Sequence, residues 1–145
     1  MQIAIGSDHA GFNLKEAVKN ILAEMGHTHE DFGCHDTTSV DYPDIAFTVA
    51  DAVAAGRFEQ GILVCGSGIG MSIVANKVDG IRAALCHDTF CAKGAREHNN
   101  ANILCMGERV IGQGLAKEIV IAYLTSEFEG GRHARRVEKM HVREQ

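Results

Sequence analysis

The chain has 145 residues, of which 46% are hydrophobic, and its formal net charge at pH 7 is −5. This length fits one domain with a sizeable apolar core, and the composition excludes a disordered chain. A general nucleic-acid binder would need a basic face, which this acidic chain does not offer. No apolar run of 18 residues and no signal-peptide start is present, so we expect a cytoplasmic protein that does not bind a membrane.

Short apolar runs alternate with amphipathic stretches from the first residues onward. The pattern predicts strands at 3–5, 27–32, 61–65, 81–86 and 103–106, the second being polar and near a sheet edge. It predicts helices at 12–25, 43–55, 69–77, about 87 to 97 or 98, 112–124 and 132–144. Strands and helices that alternate at this spacing favour an α/β fold, a three-layer, doubly wound, Rossmann-like sheet of five parallel strands. A single domain over 1–145 would then end in a basic helical arm from about residue 130.

Five cysteines, an odd number, stand at positions typical of strands and helices, and we expect them to be reduced thiols. They are Cys34, Cys65, Cys86, Cys91 and Cys105. Cys86 and Cys91 lack a second cysteine pair at metal-binding spacing, so no metal site is predicted.

The stretch 61–71, GILVCGSGIGM, reads as a buried strand that runs into a glycine-rich turn and then a helix. Ligands of open α/β sheets bind at the carboxyl ends of strands, where the first turn of a helix offers free backbone N–H groups. These groups would stabilise a thiolate on Cys65 and an oxyanion beside it. A small buried thiol that only packs at the strand end fits the stretch equally well.

Four other uses of this turn each fail on a residue that their chemistry requires. A cysteine phosphatase needs an arginine where Met71 stands, and a Walker loop needs a lysine, the first of which comes at Lys77. A dinucleotide fingerprint would follow the first strand and end in a third spaced glycine, which is missing. A receiver module would carry an aspartate in place of Cys65.

The carboxyl ends of the predicted strands share one edge of the sheet. Asp8 and His9 after the first strand, Cys65 with the glycine turn, the 87–88 pair and the 108–109 loop should therefore line one crevice. An acid, imidazoles, a thiol and an anion cradle suit acid–base chemistry on a small anionic substrate. His98 and Asn99 follow a helix end and would reach this crevice indirectly.

Seven short motifs then fall in register along nearly the whole chain. They are SDHAGF at 7–12, DYPD at 41–44, CGSGIG at 65–70, NK at 76–77, GIRA at 80–83, HN at 98–99 and GGRH at 130–133. Together they resemble the ribose-5-phosphate isomerase B family, whose wider group includes galactose-6-phosphate and allose-6-phosphate isomerases. The resemblance implies an intramolecular oxidoreductase of the pentose phosphate pathway. It would interconvert ribose 5-phosphate and ribulose 5-phosphate without metal or cofactor.

The resemblance also implies roles for single residues. Cys65 would move a proton between C2 and C1 of the open-chain sugar, while the N–H groups of the turn and the Ser67 hydroxyl hold the enediolate. His98 would assist ring opening as an acid, and Asn99 and Asp8 would bind sugar oxygens. The residues of the enediolate hole are Gly66, Ser67, Gly68, Ile69 and Gly70.

The phosphate would be held by His9, Arg109, Arg132 and Arg136. The last two are four residues apart, so they project from one helical face, as a phosphate fork requires. Family members are homodimers or pairs of dimers with sites completed by the neighbouring subunit. The glycines at 130–131 suggest that the arm swings away from its own domain to reach that neighbour.

Some positions remain open. Tyr42 is only a weak site candidate, His87 has no assigned role, and surface positions are expected for His27, His29, His35, His133 and His141. Position 67 carries serine where threonine is common in the family, which leaves a slightly roomier pocket. A hexose 6-phosphate isomerase and a non-catalytic sugar-phosphate sensor therefore stay as alternatives.

Overall fold

The computed structural model describes residues 1–144, so Gln145, the last residue of the predicted arm, lies outside the described residues. Five strands alternate with six helices in chain order. The strands are β1 (Gln2–Ser7), β2 (Thr28–Asp31), β3 (Gln60–Cys65), β4 (Ala83–Leu85) and β5 (Ile103–Gly107). The helices are α1 (Phe12–Glu24), α2 (Tyr42–Ala54), α3 (Ile69–Ala75), α4 (Thr89–Glu97), α5 (Gln113–Thr125) and α6 (Arg132–His141).

The sheet has the order β2-β1-β3-β5-β4, and every neighbouring pair is parallel. β2 lies on one side of β1 in the sheet, and β3 lies on the other side of β1. The strand order therefore reverses between β1 and β3, which is where ligands bind in such sheets. The predicted fold class is confirmed, and the polar second strand is indeed at an edge.

Two apolar cores cover the two faces of the sheet, because side chains of a strand alternate between faces. In β3, Ile62 and Val64 face a core shared with α1, α4 and α5. Leu63 and Cys65 face a second core, shared with α2 and α3. Cys65 is thus the last residue of a fully buried strand, and the glycine turn follows it at the carboxyl end of the sheet.

Lys15 of α1 is fully buried, and its charge is neutralised by Asp31, the last residue of β2. Its ammonium donates to both carboxylate oxygens of Asp31 at 2.8 Å and to the carbonyl of Cys34. Lys19 adds a 3.0 Å contact to the same carboxylate. Burial alone would raise the pKa of Asp31, but the hydrogen bonds from Lys15, the Gly33 N–H and Lys19 hold this pKa below its ordinary value.

Helix α6 contacts its own domain through one face, and its reach to a neighbouring subunit stays a prediction. His133 and Val137 are buried on its inner face. Near its carboxyl end, Arg82 and His141 approach to 3.1 Å between Nη1 and Nε2. The stack of His133 on His98 and the contact of His141 with Arg82 therefore connect α6 to the rest of the domain.

None of the helices within residues 1–144 combines the length and apolar character that crossing a membrane requires.

Candidate active site

A crevice of about 600 Å³ opens at the carboxyl ends of β1 and β3. It is lined by the turn after β1, the glycine turn after β3 and the turn after β5. The lining residues are Asp8, His9, Ala10, Tyr42, Cys65, Gly66, Ser67, Ile69, Gly70, Ile73, Arg109 and Val110. The structure thus gathers most of the predicted site residues at the predicted sheet edge.

The turn after β1 is fixed against the end of β3. The Asp8 N–H donates to the Val64 carbonyl at 3.2 Å, and the Asp8 carboxylate accepts from the Gly11 N–H at 3.1 Å. A Cβ at Gly11 would lie only 2.5 Å from the same Val64 carbonyl oxygen, so only glycine allows this approach. Asp8 therefore caps a turn with one oxygen, and its backbone is locked to the strand that carries Cys65.

His9 is oriented by the loop that precedes α2. Its Nδ1 accepts a hydrogen bond from the Val40 N–H at 3.2 Å. A neutral imidazole that accepts at Nδ1 carries its proton on Nε2, so the crevice is offered an N–H donor. This tautomer suits an anionic group such as a phosphate oxygen.

The sulfur of Cys65 accepts a hydrogen bond from the Gly68 N–H at 3.1 Å. The residue is 5% exposed, so its sulfur lies at the crevice floor with little contact to solvent. Gly68 has φ of +77°, and a Cβ there would lie 2.8 Å from the Met106 carbonyl carbon. The left-handed turn that only glycine adopts freely is what aims this N–H at the sulfur.

Among the other backbone N–H groups of the turn, one donates a hydrogen bond within the described part of the protein and four do not. The Ile69 N–H donates to the Ser67 hydroxyl at 3.2 Å, so Ser67 keeps its own proton for a ligand. Within residues 1–144, the N–H groups of Gly66, Ser67, Gly70 and Met71 donate to no protein acceptor. These free donors can hold an oxyanion, whereas the Gly68 and Ile69 N–H groups that were predicted for this role are already occupied.

Two side chains form the walls of the crevice. The ring of Tyr42 lies against Gly70, and the guanidinium of Arg109 lies against Gly66. The sequence made Tyr42 only a weak site candidate. Its phenol instead borders the glycine turn and so can contact a bound ligand.

The turn after β5 is held by residues to which the sequence gave no role. His87 accepts a hydrogen bond from the Gly107 N–H at 3.1 Å, and Glu108 accepts one from the Leu14 N–H of α1 at 2.6 Å. Arg109, which follows, donates its backbone N–H to the Gly66 carbonyl at 3.0 Å. These contacts fix Arg109 beside the glycine turn. A side chain that accepts a hydrogen bond from a distant backbone N–H leaves no periodic pattern in the sequence. These two contacts could therefore not be predicted from the sequence.

The other thiols are poorly placed for proton transfer. Burial raises the pKa of Cys86 to about 12 and also raises that of Cys105. Cys91 is exposed, and its hydrogen bond to the Asp88 carboxylate raises its pKa. Cys34 donates its thiol hydrogen to the Asp36 carbonyl. Cys65 is thus the thiol that both accepts a backbone N–H and borders the crevice.

The remaining predicted residues lie elsewhere on the same chain. His98 and Asn99 line a second cavity of about 510 Å³, which shares no lining residue with the first. Arg132 and Arg136 are exposed on α6. The predicted site therefore falls into two parts, one around Cys65 and one around His98.

A compact polar cluster borders the second part. The rings of His98 and His133 are stacked, with centroids 4.4 Å apart and 16° between planes, and Glu129 Oε2 lies 3.4 Å from His133 Nε2. The expectation that His133 is a surface histidine is wrong, because the stack buries it. One ligand atom of each residue lies within 4.8 Å of the others, which is close enough for a metal ion. The nitrogen lone pair lies in the ring plane, however, and two parallel stacked rings cannot both aim at one ion.

Comparison with known proteins adds to this geometry. The pattern of the family described as Ribose/Galactose Isomerase matches residues 3–140. The chain belongs to this family. A ribose-5-phosphate isomerase B of Escherichia coli is 47% identical over 144 residues, which cover 99% of this chain and 97% of that one.

Two further relatives of this ribose/galactose isomerase match it over nearly their whole length. A D-erythrulose-4-phosphate isomerase of Pectobacterium atrosepticum is 51% identical over 142 residues, 97% of this chain and 93% of the relative. The solved structure of Clostridium thermocellum ribose-5-phosphate isomerase B superimposes with a TM-score of 0.98 at 53% identity. It covers 99% of this chain and 97% of that one. The chain is thus a sugar phosphate isomerase, and the predicted enzyme class is confirmed.

Proposed function

We propose that this isomerase interconverts D-ribose 5-phosphate and D-ribulose 5-phosphate through an enediolate, with Cys65 as the base. The observation that carries the proposal is the sulfur of Cys65, which accepts the Gly68 N–H at the floor of the crevice. A backbone donor stabilises a thiolate, and a thiolate can take the proton from C2 of the aldehyde and return it to C1. Four neighbouring N–H groups that donate to no acceptor within residues 1–144 can stabilise the enediolate oxygen.

Ring opening precedes proton abstraction, because ribose 5-phosphate exists largely as a furanose. As the bond between C1 and the ring oxygen breaks, that oxygen gains a proton and the anomeric hydroxyl loses one. We assign the proton donated to the ring oxygen to His98, with Asn99 and Asp8 binding the sugar hydroxyls. The second cavity, which His98 and Asn99 line, is large enough to admit part of a sugar phosphate.

The phosphate would be bound by His9 and Arg109 from one side and by Arg132 and Arg136 from the other. His9 offers its Nε2–H, and Arg109 is fixed by the turn after β5. The two arginines of α6 are exposed and four residues apart, so both guanidinium groups can reach one anion.

A second copy of the chain would join the two parts of the site. Exposed apolar side chains surround both of them: Tyr42, Ile69, Ile73 and Val110 around the first, and Leu85 and Phe90, the latter 86% exposed, around the second. Apolar patches of this kind mark association surfaces. We infer a homodimer, or a pair of dimers, in which Cys65 of one subunit works with His98, Arg132 and Arg136 of its partner.

The likeness to a D-erythrulose-4-phosphate isomerase supports a four-carbon substrate as a second candidate. The serine at position 67 leaves room for a hexose 6-phosphate as well. Single-carbon differences are discriminated by only about 1–3 kcal/mol in a pocket, so the residues alone do not rank these sugars strongly. A cytoplasmic location fits any of these metabolic roles.

Turnover of four sugar phosphates tests the proposal. We expect kcat/KM to be highest for ribose 5-phosphate against erythrulose 4-phosphate, allose 6-phosphate and galactose 6-phosphate. A higher kcat/KM for one of the other three sugars would change the proposed substrate and leave the proposed mechanism unchanged. Thermal stabilisation by these ligands without turnover of any of them would instead support a sensor and contradict the proposal.

A further inference from the structure

His133 is buried in the middle of the second part of the site, yet the proposed chemistry gives it no task. It lies in the first turn of α6, directly after the phosphate-binding candidate Arg132. Its ring covers one face of the His98 imidazole at 4.4 Å. A ring fixed in this way limits rotation of the His98 side chain and shields one of its faces from water.

Glu129 closes the cluster from the loop before α6. Its carboxylate faces His133 Nε2 at 3.4 Å, and its backbone N–H donates to the carbonyl of Glu97 at 3.0 Å. Glu97 is the last residue of α4 and directly precedes His98. Backbone and side chain of Glu129 therefore hold the end of α4 and the start of α6 in one arrangement.

The groups around the stack favour a neutral His133 ring. Two stacked imidazolium ions would repel each other. Burial lowers the pKa of His133, and so do the charges of His98, Arg132 and Arg136, while the carboxylate of Glu129 opposes them. The neutral form of His133 is therefore favoured, and a neutral ring can stack on His98 without charge repulsion.

We propose that His133 and Glu129 are positioning residues for His98, and that the three form a ring-opening unit needed only for cyclic substrates. The inference rests on the proposed function, in which His98 opens the furanose. A four-carbon sugar with phosphate on O4 cannot close a furanose, because the oxygen that would form the ring is esterified. Such a substrate makes no use of the unit, whereas ribose 5-phosphate depends on it.

The test compares His133→Ala and Glu129→Gln with the wild type on ribose 5-phosphate and on D-erythrulose 4-phosphate. For ribose 5-phosphate we expect kcat to fall about tenfold or more with KM little changed, since a positioned acid contributes on the order of 10²-fold. For erythrulose 4-phosphate we expect kcat and KM within about twofold of wild type. Arg135→Ala on the exposed face of α6 and Glu127→Gln in the same loop are matched controls.

Binding of ribitol 5-phosphate, an acyclic polyol phosphate, gives a second readout that does not need turnover. A positioning role leaves its inhibition constant unchanged in both variants. An equal loss on both substrates, or weaker ribitol 5-phosphate binding, would show that the cluster only supports the fold and would overturn the inference. Failure of the proposed function is separable, because Cys65→Ala would then remain active on both substrates.

Discussion

The Gly68 N–H donates to the Cys65 sulfur at 3.1 Å, and the two residues are only three positions apart in the sequence. The same glycine has the left-handed backbone that starts α3. One residue thus both begins the helix and stabilises negative charge on the sulfur. The position of the sulfur and the geometry of the turn cannot be changed separately.

Replacing the sulfur should abolish catalysis without unfolding the protein. For Cys65→Ala we expect kcat/KM to fall by roughly 10³-fold, which is within the range for loss of an acid–base group. The side chain is small, so the melting temperature should change little. Cys91→Ala, which removes an exposed thiol, is the control and should keep wild-type activity. Full activity of purified Cys65→Ala would exclude the cysteine as the base.

Adding a methyl group at the turn should cost both stability and activity. Gly68→Ala places a side chain at positive φ and against the Met106 backbone, so we expect the free energy of unfolding to fall by about 3 kcal/mol. Gly114 lies in α5, where an added Cβ would meet nothing within 4 Å. Gly114→Ala should therefore raise the free energy of unfolding by about 0.5 kcal/mol. Urea titration measures both, and equal stability of the two variants would contradict the assigned turn geometry.

Mixing two inactive variants tests whether the site is shared between subunits. One variant is Cys65→Ala and the other carries both Arg132→Ala and Arg136→Ala. In a mixed dimer one site contains both substitutions and the other none, so activity should return to about half of the wild-type value per mixed dimer. Refolding the two together and assaying isolated heterodimers gives the measurement. Heterodimers without activity would place the arginines and the cysteine of one site on the same subunit.

The buried ammonium of Lys15 makes stability depend on Asp31. Asp31→Asn removes its counter-charge, and breaking a buried pair on one side costs about 3 kcal/mol. The variant should recover part of this loss when Lys15→Met is added, because the unpaired charge disappears. Free energies of unfolding from urea titration provide the comparison.

The same pair sets a pH dependence. The pKa of Asp31 is lower in the folded protein than its ordinary value of 3.8. Its stabilisation is therefore fully present above that value and is lost as pH falls through the lowered folded pKa. The stability gap between wild type and Asp31→Asn should narrow in that acidic range and stay constant near pH 7. A gap that widens on acidification would show the opposite sign of the shift.

Periodicity was enough to predict the fold. All five strands and six helices of the described residues lie where apolar spacing placed them. β4 begins two residues later than its predicted run, and there the Arg82 N–H donates to the Asn102 side-chain oxygen at 2.8 Å. The end of β3 could also be predicted, since a buried apolar run followed by glycines has few other structures. Cys65 and its crevice follow from those two facts.

Contacts between distant elements were not predictable. The burial of His133 depends on α6 folding back onto α4, and glycines at 130–131 permit many directions of the chain. The tautomer of His9 depends on one N–H from Val40, and the cap of α1 comes from Glu108, 94 residues away in sequence. Such contacts are set by tertiary packing, which no local pattern records.

Gly11 packs closely against the Val64 carbonyl, and this contact limits which parts of the crevice substitutions can change. Asp8 and Cys65 are carried by strands that are bonded together at their ends, so their spacing is inherited from the sheet itself. Tyr42, Ile73 and Val110 form the rim of the crevice with exposed side chains, which also belong to the surface proposed to contact a second subunit. Substitutions there would change both the shape of the crevice mouth and that proposed contact, whereas the spacing of Asp8 and Cys65 would stay constant. The mouth of the crevice can thus be altered without altering the strand ends beneath it.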